Sequence, residues 1–247
     1  MKQILATCIV ICACIMAFEV SLLGVRIHKG MKFAAASVPF DVRIPNANHR
    51  ILVVGDSTGV GTGADRPQDS IAGRIFRDYP DVEIVNRARN GAKVEDVIEQ
   101  LHNFVSQTFD IVLVQAGGND ILRFTDLDKL RRIIVEVLGA AENIGTHVIF
   151  ISTGNVGSAP AFFAPVNWIY TRRTRKVRQV FMEEAGRAGV EYVDLFKEKK
   201  DDPFWQEPER FYASDFLHPG SAGYSLWYEE LKRQTSLPSI LATRGAQ

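Results

Sequence analysis

The sequence predicts one α/β domain built on a doubly wound parallel sheet. Short β-branched runs that are apolar on both faces alternate along the chain with stretches of helical spacing, as in repeated strand-helix units. A length of 247 residues suits one well-buried domain. A composition of 46% apolar and 23% charged residues is typical of globular proteins.

Five runs are predicted to be strands. Each is short and apolar throughout, which is the pattern of a parallel strand covered by helices on both faces. In chain order they are Ile51–Val54, Val82–Val85, Ile111–Val114, Val148–Ile151 and Val190–Val193. Doubly wound sheets form their sites beyond the carboxyl ends of the strands, so the residues that follow each run are the candidates for function.

Two of the intervening stretches show clear helical periodicity. Apolar residues three or four apart give each stretch one apolar face, which predicts a helix packed on the sheet. The first stretch contains Val94, Val97, Ile98, Leu101 and Val105, and the second contains Leu127, Leu130, Ile134, Val137 and Ala141.

Residues 1–25 are predicted to be a membrane anchor or a signal segment. The chain is almost continuously apolar from Ile4 to Val25, and Lys2 precedes this run. The run is about long enough to span a bilayer as a helix, and signal peptides and anchors share this pattern. An uncleaved anchor is favoured, and a buried or amphipathic helix of the folded domain is the remaining interpretation.

The sequence contains conflicting signals about the side of the membrane on which the folded domain lies. Arg26, Lys29 and Lys32 follow the apolar run and would hold the domain in the cytoplasm by the positive-inside tendency. An export signal would instead place the domain on the cell envelope or periplasmic side, which is favoured here. Residues 26–49 contain prolines and no sustained period, so they are predicted to be a linker, and residues 236–247 are predicted to be a frayed tail.

Charge and cysteine usage exclude several classes of protein. Lysine and arginine balance aspartate and glutamate at 29 each, so a nucleic-acid partner is not expected, although Arg172–Arg178 is locally basic. All three cysteines, Cys8, Cys12 and Cys14, lie in the N-terminal run. The rest of the chain has no thiol for a disulfide or a zinc site, and neither a metal nor a cofactor is expected. The oligomeric state is not predicted.

A candidate nucleophile follows the first predicted strand. Ser57 comes directly after Gly55 and Asp56, and glycines at positions 59, 61 and 63 permit a close backbone approach. A glycine-rich turn of this kind can also hold a phosphate, but the ending of a P-loop and the full dinucleotide-binding spacing are missing. A serine hydroxyl needs a neighbouring imidazole to take its proton and a third group to orient that ring.

Asp215 and His218 are the candidates for those two groups. Their spacing lets the carboxylate reach the imidazole within one turn of chain, and Pro219 and Gly220 fix a turn before the next predicted helix. Three other histidines lack such neighbours and are interpreted as ordinary surface or packed residues. They are His28, His102 and His147.

Four segments in this order resemble the four sequence blocks of the GDSL or SGNH hydrolases. They are Gly55-Asp56-Ser57, Gly91 after a strand, Gly117-Gly118-Asn119-Asp120, and Asp215-Phe216-Leu217-His218-Pro219. The resemblance implies a flavodoxin-like three-layer α/β/α sandwich with a mainly parallel five-stranded sheet. It also implies that residues 50–235 form an SGNH-like hydrolase domain.

The resemblance assigns a role to each matching position. Ser57 would be the nucleophile, His218 the base and then the acid, and Asp215 the group that orients His218. The oxyanion hole would consist of the Ser57 and Gly91 backbone N–H groups and the Asn119 side-chain amide. Asp56 and Asp120 belong to the blocks but are predicted only to brace loop backbone.

One position departs from the family pattern. Thr58 stands where the family usually has leucine or isoleucine, and Gly55–Gly59 therefore also reads as the G-x-S-x-G elbow of α/β-hydrolases. In that class the acid and the histidine come from separate loops. The short spacing from Asp215 to His218 favours the SGNH interpretation.

The expected function is that of a serine esterase acting on a small ester through an acyl-enzyme, with a short or medium acyl group and a lipid or acetylated-glycan type of substrate. An acyltransferase to a carbohydrate hydroxyl and a catalytically silent binding domain are the alternatives. Two loops are rich in aromatic residues, for which core packing is favoured over pocket lining. These residues are Phe162, Phe163 and Trp168 in one loop and Phe204, Trp205, Phe211 and Tyr212 in the other.

Overall fold

A parallel sheet forms the centre of the computed structural model, which describes residues 19, 21, 22, 24–26 and 28–243. Its strands are β1 (His49–Gly55), β2 (Val82–Asn86), β3 (Phe109–Gln115), β4 (Gly145–Ile151) and β5 (Glu191–Val193). Every pairing among them is parallel, in the order β2-β1-β3-β4-β5. This is the flavodoxin-like order, so the predicted fold class is confirmed.

Helices connect the strands and cover both faces of the sheet. Helix α1 is continuous in the described chain over residues 28–36. The others are α2 (Ser57–Val60), α3 (Ile71–Asp78), α4 (Val94–His102), α5 (Gly118–Leu122), α6 (Leu127–Glu142), α7 (Val166–Ala188), α8 (Pro203–Gln206), α9 (Pro208–Phe211), α10 (Ser221–Gln234) and α11 (Leu237–Ala242).

Alternation along β1 divides the core into two layers. Leu52 and Val54 pack with α4, α6 and α7 on one face, whereas Ile51 and Val53 pack with α3, α10 and α11 on the other. Successive side chains of a strand point to opposite faces, so an entirely apolar strand contributes to both layers at once. Each of the five predicted runs forms a strand of the sheet, so the prediction is confirmed.

The two predicted segments that flank the domain are more ordered than expected. Residues 28–36 of the predicted linker are helical, and Val42 exchanges backbone hydrogen bonds with Ile84 of β2. The frayed tail predicted for residues 236–247 is wrong for Leu237–Ala242, because α11 buries Leu237 and Leu241 in the core. Val105, predicted to lie on a helix face, follows the end of α4 and is 71% exposed.

The N-terminal apolar run lies mostly outside the described residues, since residues 1–18, 20 and 23 are not described. Among the residues that are described, no helix combines the length and apolar character needed to cross a membrane.

Replacing Leu237 tests the packing of α11. We expect Leu237→Ala to lower the free energy of unfolding by about 2–5 kcal/mol, because the side chain is fully buried. The exposed Ser239→Ala on the same helix is the control and should change it by less than about 0.5 kcal/mol. Urea unfolding measures both, and equal stability of the two variants would contradict the packing of α11.

Candidate active site

The turn after β1 holds Ser57 at the carboxyl edge of the sheet. Gly55 has φ +137°, and a Cβ placed there would lie 1.8 Å from the carbonyl oxygen of Gln115, so the close approach of the ends of the paired strands β1 and β3 requires glycine. The carboxylate of Asp56 then accepts hydrogen bonds from the backbone N–H and the hydroxyl of Thr58, both at 2.8 Å. Ser57 is therefore fixed as the first residue of α2.

Gln100 of α4 holds the same turn from the opposite side. Its amide oxygen accepts the Gly55 N–H at 2.7 Å, and its amide nitrogen donates to the Gly55 carbonyl at 3.0 Å. The side chain is buried; it satisfies the Gly55 N–H and shares the Gly55 carbonyl with the Arg89 N–H, which donates to that oxygen at 3.0 Å. Sequence reasoning missed Gln100, although a lone amide on an apolar helix face is a signal for such a contact.

The predicted bracing role of the two block aspartates is confirmed. Asp56 accepts from Thr58 as described, and the carboxylate of Asp120 accepts the backbone N–H of Val94 at 2.9 Å. Asp120 thereby joins α5 to the start of α4, beside the loop that contains Gly91.

A short loop that folds back on itself presents His218. Tyr212 and Pro219 form an antiparallel bridge, and the Ala213 N–H donates to the His218 carbonyl at 2.8 Å. Phe216 at the turn has φ +57°, a left-handed conformation that non-glycine residues rarely adopt. The backbone on both sides of His218 is thus held before α10 begins.

The structure brings Ser57, His218 and Asp215 together in one hydrogen-bonded line. Ser57 Oγ lies 3.1 Å from His218 Nε2, and His218 Nδ1 lies 2.6 Å from Asp215 Oδ2. This arrangement fits the tautomer in which Nδ1 carries the proton, so that Nε2 is free to accept the serine proton. Ser57 and His218 are each partly exposed, whereas Asp215 is fully buried.

Asp215 is held as a carboxylate despite its burial. Burial alone would raise the pKa of Asp215. The hydrogen bond from the His218 side chain, the charge of that ring, and the backbone N–H groups of Leu217 and His218 have a larger opposite effect, so the pKa of Asp215 is lowered. Both backbone donors lie 3.0 Å from Asp215 Oδ1, which leaves Oδ2 for the imidazole. The carboxylate is therefore fixed in position and charge.

Gly91 and Asn119 line the same pocket as Ser57. Gly91 has φ +76°, a conformation that favours glycine. The Asn119 amide nitrogen donates to the Ala92 carbonyl at 3.0 Å, which uses one of its two hydrogens and joins α5 to the Gly91 loop. The other amide hydrogen remains for a ligand, so these residues are available for the predicted oxyanion role.

The pocket beside the triad has a volume of about 530 Å³, within the usual range for small-molecule sites. Its lining is mainly apolar. Among the aromatic residues of the two predicted loops, it includes Phe162, Phe204 and Tyr212. Pocket lining, the less favoured interpretation, thus holds for these three residues, and Phe204 and Tyr212 also pack edge to face at 5.0 Å between ring centroids. Trp168 and Trp205 are 65% and 42% exposed.

Helix α1 forms one wall of this pocket, which sequence reasoning missed because residues 26–49 were predicted to be a linker. Arg26, Gly30 and Ala34 all line the pocket. A Cβ at Gly30 would lie 3.2 Å from Asp215 Oδ2, and the Asn90 amide donates to the Ala34 carbonyl at 2.8 Å. The small residues spaced four apart are the sequence signal for this close approach.

The fold and the triad define the class of the protein. A Ser-His-Asp line at the carboxyl edge of a flavodoxin-like sheet is the arrangement of a serine hydrolase. The sequence profile of the GDSL-like lipase/acylhydrolase family matches residues 53–226, and the chain belongs to this family. The resemblance inferred from the four blocks is therefore confirmed, and the protein is a hydrolase of the GDSL/SGNH type.

Several solved structures share the fold. The crystal structure of TesA has a TM-score of 0.59 and 20% identity, over 77% of this chain and 99% of that one. A lipase/acylhydrolase from Enterococcus faecalis has a TM-score of 0.59 and 20% identity, over 81% and 99%. A variant of Axe2, an acetyl xylan esterase from Geobacillus stearothermophilus, has a TM-score of 0.53 and 19% identity, over 75% and 94%. No curated protein sequence matches the chain.

Lowering the pH tests the charge on Asp215. Its pKa is lower in the folded protein than the ordinary value of 3.8, so its ionisation stabilises the fold above that value and the stabilisation is lost as the pH falls through the folded pKa. We expect the difference in unfolding free energy between the wild type and Asp215→Asn to shrink between about pH 5 and pH 2. Urea unfolding across this range measures it, and a difference that grows towards low pH would contradict the assignment.

A larger side chain at position 30 tests the contact between α1 and the triad. We expect Gly30→Leu to lower kcat/KM on a neutral para-nitrophenyl ester by about tenfold or more, because the added atoms meet the Asp215 carboxylate and displace the triad. Gly24→Leu is the matched control, since a Cβ at Gly24 meets no described atom within 4 Å. Equal kcat/KM for the two variants would show that α1 does not form this wall.

Proposed function

We propose that the protein hydrolyses a carboxylic ester with a short or medium acyl group, through an acyl-enzyme formed on Ser57. The observation that carries this proposal is the line from Ser57 Oγ to His218 Nε2 at 3.1 Å and from His218 Nδ1 to Asp215 at 2.6 Å, beside an apolar pocket. These distances lie within the range in which a base takes a proton from a nucleophile.

In the first half of the reaction, Ser57 Oγ attacks the ester carbonyl while its proton passes to His218 Nε2. The imidazolium that forms is stabilised by the Asp215 carboxylate, which stays ionised. Collapse of the tetrahedral intermediate breaks the bond to the alcohol oxygen, and His218 donates the proton to that oxygen. The alcohol leaves, and the acyl group remains on Ser57.

In the second half, a water molecule takes the place of the alcohol. His218 removes a proton from the water, whose oxygen attacks the acyl carbonyl, and the proton then returns to Ser57 Oγ as the acid leaves. In both halves a negative charge develops on the carbonyl oxygen. The backbone N–H groups of Ser57 and Gly91 and the amide of Asn119 are the proposed donors to it, and loss of one such donor raises the barrier by about 2.7–4 kcal/mol.

Because the pocket is apolar, we expect it to bind the acyl group of the ester substrate and not a polar chain. Phe162 and Phe204 line it together with aliphatic side chains. A small lipid ester and an acetylated glycan both present a short acyl group to such a site, and one structural neighbour carries the name acetyl xylan esterase. A panel of para-nitrophenyl esters of increasing chain length, followed by lipid esters and acetylated glycans, defines the preference.

Labelling with a fluorophosphonate probe tests the nucleophile. We expect the wild type to be labelled, Ser57→Ala to be unlabelled, and the exposed Ser106→Ala control to be labelled like the wild type. An unlabelled wild type would favour a silent binding domain instead.

Replacing Asp215 tests the group that orients His218. Asp215→Asn should retain the fold and lose roughly 10⁴-fold in kcat, because the imidazole adopts the wrong tautomer.

Product analysis separates hydrolysis from acyl transfer, because both reactions share the same acyl-enzyme. We expect free acid to be the main product in the presence and in the absence of a carbohydrate acceptor. A transferred acyl group on the carbohydrate would assign the protein to the acyltransferases.

We further propose that the N-terminal segment tethers the domain to a membrane, on the cell envelope or periplasmic side. The apolar run from Ile4 to Val25 supports this proposal. Fractionation of the full chain and of a chain lacking residues 1–25 tests it, and recovery of both in the soluble fraction would contradict it.

A further inference from the structure

Arg123 is the cation of the pocket lining that the proposed chemistry leaves unused. It follows α5 directly, and its backbone N–H donates to the Asn119 carbonyl at 2.9 Å. Its guanidinium extends towards Gly91, and Nη2 lies 3.5 Å from the position that a Cβ on Gly91 would occupy. Arg123 therefore lies beside two of the three proposed oxyanion donors.

The guanidinium of Arg123 has no partner within the part of the chain that the structure describes. It makes neither a hydrogen bond nor an ion pair nor a ring contact there, and the side chain is exposed. Neighbouring cations differ in this respect: Arg89 pairs with Glu99 at 2.8 Å, and Lys93 pairs with Glu95 at 3.1 Å.

Arg26, the other arginine that lines the pocket, already has partners within the protein. It donates to the Pro160 carbonyl and lies over the Phe216 ring, with 5.3 Å from its guanidinium carbon to the ring centroid. Arg123 is thus available to a ligand at the mouth of the pocket, whereas Arg26 serves to hold α1 in place.

The carboxylates that line the pocket are buried and do not pair with Arg123 in place of a ligand anion. Those in the described lining are Asp56, Asp202 and Asp215, and all three are at most 5% exposed. Each also accepts backbone hydrogen bonds from its own loop. The exposed charge at the mouth next to the oxyanion hole is therefore the positive charge of Arg123.

We infer that Arg123 binds an anionic group of the substrate next to the scissile ester, so that the preferred substrate is a negatively charged ester. A guanidinium presents paired N–H donors that match the oxygens of a carboxylate or a phosphate. Since Arg123 Nη2 lies near Gly91, one of the proposed oxyanion donors, an anion bound there would lie beside the reacting carbonyl. This inference rests on the proposed esterase function and adds a substrate class to it.

Matched pairs of esters test the inference. For the acyl side, the pair is the mono-para-nitrophenyl ester of adipic acid and its neutral methyl ester. For the alcohol side, the pair is para-acetoxybenzoate and its methyl ester, with para-acetoxyphenyl phosphate as the phosphate arm. We expect the wild type to prefer at least one anionic ester over its neutral partner by about tenfold or more in kcat/KM.

Variants at position 123 assign that preference to the side chain. Arg123→Gln should abolish the preference and leave kcat/KM on the neutral esters within about twofold, whereas Arg123→Lys should retain part or all of it. Arg132→Gln, an exposed arginine on α6 outside the pocket lining, removes the same charge and should keep the wild-type preference. Because the contact is exposed, the preference should also decrease as the salt concentration rises.

The outcomes separate this inference from the proposed function. Equal kcat/KM on charged and neutral esters, or a preference that Arg123→Gln retains, would overturn the role of Arg123 and leave the esterase function in place. If no ester is turned over, calorimetry with para-acetoxybenzoate and the Ser57→Ala protein tests binding alone. Binding that is lost in Ser57→Ala/Arg123→Gln supports the anion site, and binding that is absent or independent of Arg123 overturns it.

Discussion

The site depends on one buried ion-dipole arrangement, in which the Asp215 carboxylate accepts two backbone N–H groups through one oxygen and the His218 imidazole through the other. Removing a carboxylate from water opposes its ionisation, and only such a set of donors keeps it charged. The charge in turn fixes the tautomer of His218 and the direction of Nε2. Because the donors belong to residues 215–218 themselves, one short loop contains both the acid and its support.

The sheet brings Ser57 to that loop. Parallel strands end at a common edge, so the turns after β1, β2 and β3 deliver Ser57, Gly91 and Asn119 to one side of the molecule. Buried polar side chains such as Gln100 hold these turns by hydrogen-bonding to their backbone. Apolar packing sets the positions of the elements, and a few buried hydrogen bonds set the positions of the reacting atoms.

The sequence alone predicts most of this architecture for physical reasons. Runs such as Ile51–Val54 are short, β-branched and apolar on both faces, as expected of a strand buried between two helical layers. The geometry of a short-range pair such as Asp215 and His218 is set by the local backbone. Prediction from the sequence fails where tertiary contacts, and not an apolar periodicity, determine the structure of a segment. The helix at residues 28–36 has only two large apolar side chains, Met31 and Phe33, and Met31 is 66% exposed; contacts such as that of Ala34 with Asn90 hold it in place. Arg123 is likewise an ordinary surface arginine until the fold places it beside Gly91.

A crystal structure of the protein after reaction with diethyl para-nitrophenyl phosphate, whose phosphoryl group mimics the tetrahedral intermediate, tests the proposed site most directly. We expect a phosphorus bonded to Ser57 Oγ, with one oxygen within hydrogen-bonding distance of the Ser57 and Gly91 N–H groups and the Asn119 amide. His218 Nε2 should remain beside the bonded oxygen. A phosphoryl group on another residue, or an oxygen directed away from these donors, would contradict the account.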